Sequence, residues 1–202
     1  MKRNSLFMDK LSYALGLSMG GNFMRSGIEK LNYDDFAAGV KAAYENDHGT
    51  MTAEEAKMVV NKYFAEMEAR LQEVNKKAGE QYLAENAKRP EVHVTPSGLQ
   101  YQIIKEGEGE SPKKTDRVTV HYTGALIDGR VFDSSVERGE PATFGVTQVI
   151  PGWVEALQMM KPGAEWRIFV PSELAYGPNG AGGIIGPNMT LIFDIRLIKV
   201  EK

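Results

Sequence analysis

Proline is absent from residues 1–88, and all nine prolines of this 202-residue chain follow Arg89. Proline removes a backbone donor and clashes with the preceding helical turn, so a long stretch without it permits continuous helices. The second half, which proline and glycine interrupt repeatedly, must be built from shorter elements. The sequence therefore predicts two regions: a helical first half and a second half of strands and turns.

Capping residues mark two short helices in the first half. One is predicted to begin near Asp9. The other is predicted to open at Asn32 and to end near Asp47-His48-Gly49, because side-chain oxygens satisfy the free N–H groups of a first turn and glycine favours a helix end. The first helix carries an apolar stripe of Leu11, Leu15 and Met19. Such a stripe requires a partner surface.

A third and much longer helix is predicted from a capping box. Thr52 is followed three residues later by Glu55, so each side chain can bond the other residue's backbone N–H. Between residues 53 and 88 only Gly79 interrupts the pattern, which corresponds to roughly 50 Å of helix. Apolar residues recur at helical spacing only as far as Val74. We therefore expect the first part of this helix to be packed and the second part to be solvated.

Three helices of this size make a poor independent core, because small units bury little of their surface. Association of two copies through these helices would supply the missing apolar partner. The alternative is that the N-terminal helices fold back onto the second half within one monomer.

After Pro90 the apolar period changes from helical spacing to two. One helical stretch, about 152–160, interrupts the strands, so the predicted fold class is α+β, with an antiparallel sheet wrapped on one short helix. Asp128-Gly129 predicts a tight hairpin in which both central residues adopt positive φ. The alternating segments are Leu99, Tyr101 and Ile103; Val118, Val120 and Tyr122; and Leu191, Phe193, Ile195 and Leu197.

Composition excludes several classes of function. A formal net charge of -3 without a local basic patch argues against nucleic-acid binding. The absence of cysteine rules out thiolate metal sites and cysteine nucleophiles, and the three histidines are too far apart for a ligand motif, so neither a metal nor a cofactor is expected.

No apolar run approaches the length of a membrane helix, and the start of the chain is not a full signal pattern. The expected location is cytoplasmic, or periplasmic if a signal peptide has been removed.

Seven blocks in the second half resemble the FK506-binding protein family of peptidyl-prolyl isomerases, over residues 97–202. In chain order they are Val120-His121-Tyr122-Thr123-Gly124, Asp128-Gly129, Val131-Phe132-Asp133-Ser134-Ser135, Val149-Ile150-Pro151-Gly152-Trp153, Met160-Lys161-Pro162-Gly163, Ala175-Tyr176-Gly177 and Gly183-Ile184-Ile185. The segment Asp9-Lys10-Leu11-Ser12-Tyr13-Ala14-Leu15-Gly16 is similar to the dimerisation segment of the long, Mip-like bacterial members.

The resemblance implies a division into a helical dimerisation domain at 1–50, a connecting helix and linker at 51–92, and an isomerase domain at 93–202. It also implies a proline-binding pocket. The implied catalytic residues are Asp133, Tyr176, Phe132 and Trp153, and the implied substrate-binding residues are Tyr122, Val149, Ile150, Ile184, Ile185 and Phe193. Ala142, Ala181 and Gly186 depart from residues common in the family, which bears on loop contacts and on the affinity for macrolide inhibitors of the FK506 type.

Two functions remain open on this evidence. The first is an enzyme that isomerises X-Pro bonds in folding proteins. The second is a chaperone-type module that holds unfolded chains in the cleft of a homodimer.

Asp133 either interacts electrostatically with the twisted carbonyl carbon or orients Tyr122. The glycine-rich segment 177–186 fails the phosphate-loop pattern, and Ser134-Ser135 with His121 lacks a nucleophile elbow, so neither is predicted to act chemically.

Overall fold

The computed structural model describes residues 8–47 and 49–202, and it divides into two compact units, Met1–Val60 and Asn61–Lys202. His48, where the end of the second helix was expected, lies outside the described residues. In the described part of the chain, no helix combines the length and the apolar character needed to cross a membrane.

Three helices occupy the first part of the chain: α1 at Lys10–Arg25, α2 at Tyr33–Glu45 and α3 at Ala53–Asn86. The predicted caps are confirmed. Asp9 accepts a hydrogen bond from Ser12 N at 2.7 Å, and Asn32 accepts from Asp34 N at 3.0 Å. Neither α1 nor α2 contains a buried residue.

The capping box of α3 forms as predicted. Glu55 Oε2 accepts from Thr52 N at 2.8 Å, and Thr52 Oγ1 accepts from Glu55 N at 3.2 Å. The helix runs for 34 residues without interruption at Gly79.

The expectation that the second part of α3 is solvated is wrong. The buried residues of α3 are Gly79 and Asn86, both in that second part. Tyr82 lies with its ring 6.1 Å from Phe169, and Asn86 Nδ2 donates to Gln100 Oε1 at 2.8 Å. The apolar period of the sequence could not reveal this contact, because much of it is made by a glycine, Gly79, and by the side-chain amide of Asn86.

The second unit is built on an antiparallel sheet of seven strands. The strands lie in the order β1-β2-β6-β7-β3-β4, and β5 pairs with the first half of β3. Their bounds are β1 His93–Val94, β2 Gln100–Lys105, β3 Arg117–Leu126, β4 Val131–Ser134, β5 Ala142–Gly145, β6 Glu165–Val170 and β7 Leu191–Glu201.

One face of the sheet packs on a short helix, α4, at Pro151–Met159. The alternating residues predicted to face inward do so on β3 and β7, where Val118, Val120, Leu191 and Leu197 are fully buried. Gly152 allows α4 to approach β6 closely, since a Cβ there would lie 2.6 Å from Val170 Cγ1. The α+β fold class is thus confirmed.

The hairpin between β3 and β4 forms where predicted, but its turn differs. Gly129 has φ of 88°, whereas Asp128 keeps a negative φ. Gly129 N donates to Leu126 O and Leu126 N donates to Arg130 O, both at 2.9 Å, so the loop has three residues. Such loops place only their last residue in the left-handed region, which a glycine satisfies.

Candidate active site

An aromatic cavity of about 440 Å³ opens between α4, the β3–β4 hairpin and the start of β7. We use "aromatic cavity" for this site throughout. It is lined by Tyr122, Phe132, Asp133, Phe144, Gln148, Val149, Ile150, Trp153, Tyr176 and Phe193. Eight of the ten residues implied by the family resemblance therefore meet in one place.

Trp153 forms the floor because the first turn of α4 points into the sheet. Its side chain is only 4% exposed. The rings of Tyr122 and Phe193 stand nearly perpendicular to it, with centroids at 5.2 and 5.3 Å, and Phe144 lies at 6.0 Å. Edge-to-face packing of this kind holds aromatic rings in fixed orientations. The floor is therefore rigid and apolar.

Phe132 forms one wall. Its ring packs edge-to-face on Phe193 with centroids 5.6 Å apart. Both rings lie over Gly124, where an added Cβ would come within 2.6 Å of Phe132 and 2.9 Å of Phe193. Gly124 has no side chain to obstruct them, which explains the Tyr-Thr-Gly block on β3.

A hydrogen-bonded cluster of three side chains lies at one edge of the aromatic cavity. Tyr122 donates its hydroxyl hydrogen to Asp133 Oδ2, and Arg138 Nη1 donates to Asp133 Oδ1. Arg138 Nη2 also donates to the Tyr122 hydroxyl oxygen at 3.2 Å, and its guanidinium lies 5.7 Å from the centre of the Tyr122 ring. Both carboxylate oxygens of Asp133 are thus engaged by neighbours.

These contacts move the pKa values of Asp133 and Tyr122 further from neutral pH. Burial alone would raise the pKa of Asp133, but the hydrogen bonds from Tyr122 and Arg138, with the charge of Arg138, outweigh it and lower that pKa. The pKa of Tyr122 is raised, first by burial and then by its bond to Asp133. The carboxylate and the phenol therefore keep their charge states around pH 7.

Two further groups that can form hydrogen bonds face the aromatic cavity, the N–H of Ile150 and the hydroxyl of Tyr176. The N–H of Ile150, which precedes α4, has no acceptor among the described residues. The hydroxyl of Tyr176 likewise has no partner in residues 8–47 and 49–202, and this side chain is 40% exposed. Both can bond a ligand, the first as donor and the second as donor or acceptor.

The structure does not bring Ile184 and Ile185 into the lining. The segment folds into a small turn in which Ala181 N donates to Ile185 O at 2.8 Å and Ile185 N donates to Ala181 O at 3.1 Å. This pairing directs Ile185 into the hydrophobic core, while Ile184 stays exposed on the loop.

Phe144 and Gln148 line the aromatic cavity although sequence reasoning did not select them. Phe144 carries the same signal as Tyr176, since each directly precedes a glycine. Gln148 accepts a hydrogen bond from Gly145 N at 3.1 Å, which orders the short turn between β5 and α4. No pattern in the sequence marks Gln148.

A larger cavity, of about 700 Å³, lies on the opposite face of the sheet. Four of its charged side chains form two ion pairs with each other. Arg167 bonds both carboxylate oxygens of Asp194, at 2.7 and 2.8 Å, and Arg196 lies 3.5 Å from Glu165. Most of its lining side chains are polar or charged, and its tryptophan, Trp166, is stacked on Tyr101, so size does not make it the active site.

The aromatic cavity defines a class of site: a rigid apolar hollow for a small ring, with free hydrogen-bonding groups for flanking amides. Among the described residues no group of three His, Cys, Asp or Glu side chains could hold a metal ion. His121 and Ser135 contact each other at 3.1 Å, but neither lines the aromatic cavity.

Comparison with known proteins identifies the family. Residues 108–198 match the family model described as FKBP-type peptidyl-prolyl cis-trans isomerase, and residues 8–103 match the domain amino terminal to it. The chain is 50% identical to the outer membrane protein MIP of Legionella longbeachae, over 96% of this chain and 86% of that protein. It is 45% identical to the FKBP-type 22 kDa peptidyl-prolyl cis-trans isomerase of Escherichia coli, over 94% and 93%.

A solved structure agrees with these sequence matches. The crystal structure of FkpA from Escherichia coli superposes with a TM-score of 0.78 at 35% identity, covering 98% of this chain and 99% of that one. This chain belongs to the FKBP-type peptidyl-prolyl cis-trans isomerase family, and its activity is the isomerisation of X-Pro bonds. The expected cytoplasmic location finds no support, since the Legionella relative is named an outer membrane protein.

Proposed function

We propose that the aromatic cavity is where this chain isomerises X-Pro bonds, with Trp153 under the proline ring and Tyr122, Phe132 and Phe193 as walls. The observation that supports the assignment is convergence. Residues from five separate segments of the sequence form one apolar hollow with two unused hydrogen-bonding groups at its rim.

The reaction explains why such a hollow suffices. The two isomers of an X-Pro bond differ by only ~0.5–1 kcal/mol, but the barrier between them is ~18–20 kcal/mol because rotation destroys amide resonance. No covalent bond forms or breaks. A catalyst need only bind the twisted amide more tightly than either planar form.

Each part of the aromatic cavity has a role in that preference. The apolar floor and walls remove water from the amide, which costs the more dipolar planar state more than the twisted state. The N–H of Ile150 donates to a substrate carbonyl, and the hydroxyl of Tyr176 bonds a neighbouring group. Val149 packs beside the ring. Asp133 holds Tyr122 in place, because both of its oxygens are already occupied within the cluster.

We propose further that the chain is a homodimer joined by its N-terminal helices. Its α1 exposes several large apolar side chains, including Leu11 at 69% and Leu17 at 62%. The domain model that matches residues 8–103 and the similarity to FkpA over nearly the whole chain support a shared N-terminal architecture. In this proposal residues 1–50 form the dimerisation domain, 51–92 connect, and 93–202 catalyse.

A second function, chaperone-type holding of unfolded chains between the two copies, is favoured by the long helix α3 together with the proposed dimer. A proline-limited refolding assay with and without an FK506-type macrolide separates the two functions. If the aromatic cavity catalyses, the macrolide abolishes the acceleration of refolding and the isomerisation of short peptides equally. Suppression of aggregation that survives saturating macrolide would identify a separate holding function. Unchanged peptide isomerisation under saturating macrolide would refute the site.

For location we propose the periplasmic alternative rather than the cytoplasm. The name of the Legionella relative supports an envelope location for that protein. Fractionation of cells producing the protein from its own gene tests this, and recovery with cytoplasmic markers would refute it.

A further inference from the structure

The second part of α3 lies against the base of a loop that borders the aromatic cavity. We call residues 177–186 the flap and residues 187–190 the flap base. Asn75 Nδ2 on α3 donates to Pro187 O at 2.8 Å in a partly buried contact. Four residues further along α3, Gly79 faces Thr190, which is only 4% exposed. Helix α3 therefore contacts both ends of the flap base, Pro187 and Thr190.

Two glycines make this contact possible, and neither is required by the backbone. Gly79 and Gly186 both lack the positive φ that would demand glycine. A Cβ on Gly79 would lie 2.3 Å from Thr190 Oγ1, and a Cβ on Gly186 would lie 3.3 Å from Asn75 Nδ2. Glycine destabilises a helix interior relative to alanine, so the close approach at residue 79 comes at the expense of helix stability. Both positions provide room for the junction.

The flap base is joined to Gly177, the chain neighbour of a residue that lines the aromatic cavity. Asn188 N donates to Gly177 O at 2.8 Å, which closes the loop at its neck. Gly177 is bonded to Tyr176, whose side chain lines the aromatic cavity. Only two hydrogen bonds and two peptide links separate the Asn75 amide from Tyr176. Gly186 N also donates to Met189 Sδ at 3.2 Å, so the flap and its base are tied together.

We propose that Asn75 is a positioning residue for isomerisation, which acts by fixing the flap base and through it the place of Tyr176. The proposal rests on the assignment of the aromatic cavity as the active site. By holding the Pro187 carbonyl, Asn75 limits the movement of Asn188 and hence of the Gly177 carbonyl to which Asn188 is bonded. A helix outside the aromatic cavity thus contributes to the geometry of catalysis.

The test uses the full-length protein and a short X-Pro peptide. Asn75→Asp replaces the amide donor with a carboxylate that repels the Pro187 carbonyl, and Gly79→Ala forces α3 away from Thr190. Each is expected to lower kcat/KM roughly 3- to 10-fold, the range typical of residues that tune a site without touching its ligand. Glu73→Ala is the control, because it removes an exposed ion pair with Lys77 on the same helix and leaves the junction intact.

Two further readouts distinguish positioning from a merely structural role. In a Tyr176→Phe background the Asn75→Asp effect is expected to shrink below twofold, since both changes act through one side chain. Exchange of the Ile185 amide hydrogen is expected to accelerate in Asn75→Asp, as the Ala181 pairing loosens. Full additivity with Tyr176→Phe, or an Asn75→Asp protein with wild-type kcat/KM, would overturn the proposal.

Phe132→Ala in the same assay separates this proposal from the site assignment. If Phe132→Ala retains activity, the aromatic cavity is not the active site. If Phe132→Ala loses activity while Asn75→Asp keeps it, the site stands and only the positioning role fails.

Discussion

The two units of this chain use apolar residues in opposite ways. In the second unit, side chains such as Leu99, Val120 and Leu197 are fully buried, and the sheet and α4 cover them. In the first unit, Leu11 is 69% exposed and Tyr44 is 89% exposed, and neither α1 nor α2 contains a buried residue. One unit completes its own core, whereas the other presents a surface that suits association. Catalysis and assembly should therefore be separable by mutation.

The largest expected effect is on catalysis alone. Phe132→Ala removes a half-buried wall of the aromatic cavity, and a side chain of this size contributes about 1.5–3 kcal/mol of apolar contact, so kcat/KM should fall roughly 10- to 100-fold. A protease-coupled peptide assay measures the loss. Val131→Ala, an exposed neighbour on β4, should leave the rate unchanged. Sedimentation should show the same oligomer for both variants, and a Phe132→Ala protein with wild-type activity would contradict the site.

The converse variant should separate assembly from peptide catalysis. Leu11→Glu combined with Leu15→Glu places charges in the exposed stripe of α1, which should convert the dimer to monomers in sedimentation experiments. Short-peptide isomerisation should stay within about twofold, whereas acceleration of protein refolding should decline. Lys41→Glu changes the net charge equally without removing apolar surface, and it should remain dimeric. Dimers in the double variant would refute the proposed interface.

Removal of α3 should lower the stability of the isomerase domain without abolishing its activity. A fragment of residues 93–202 loses the contact of Tyr82 with Phe169 and the bonds of Leu83 and Asn86 to Gln100. Relative to residues 61–202, its free energy of unfolding should fall by about 3 kcal/mol, from apolar burial and lost hydrogen bonds. Urea titration measures the difference. Both fragments should be monomeric and should isomerise short peptides, and equal stability would show that α3 is a passive connector.

A smaller effect is expected from the polar cluster. Because both oxygens of Asp133 are occupied by Tyr122 and Arg138, Asp133→Asn and Tyr122→Phe should each lower kcat/KM only about threefold, and the double variant should lose little more. Such non-additivity would show that the carboxylate orients the phenol. A far larger loss in Asp133→Asn than in Tyr122→Phe would instead indicate a direct electrostatic action on the twisted amide.

The smallest effect should be that of pH. The pKa of Asp133 is lowered and that of Tyr122 is raised, so neither changes charge between about pH 5 and 9. The peptide rate should be flat across this range. A carboxyl with a depressed folded pKa stabilises the fold above about pH 4, and this contribution disappears as the pH falls through the folded value. A rate transition centred between pH 5 and 9 would show that another group controls the reaction.

Local chemistry and apolar period predicted the helix caps and the inward faces of β3 and β7, whereas the residues of the aromatic cavity were implied only by the family resemblance. Local patterns failed where contacts join distant segments. Gln100 alternates with apolar residues as a solvated side chain would, yet it is 5% exposed, because α3 covers it and supplies bonds from Leu83 and Asn86.

The same limitation explains the two isoleucines of the flap. The motif Gly183-Ile184-Ile185 placed both in the lining, but their direction depends on the pairing of Ile185 with Ala181. The Asp-Gly hairpin was located correctly while its turn type was not, because a three-residue loop and a two-residue loop share the same glycine signal.

The perpendicular rings around Trp153 give the protein an internal optical reporter. The chain contains two tryptophans, and both indole N–H groups are buried without a hydrogen-bond partner among the residues that the structure describes. Trp166 stacks on Tyr101 with centroids 4.4 Å apart, away from the aromatic cavity. Replacing Trp166 with phenylalanine leaves Trp153, in the floor of the aromatic cavity, as the one tryptophan of the chain. We expect its emission to report ligand occupancy in real time, without any attached dye.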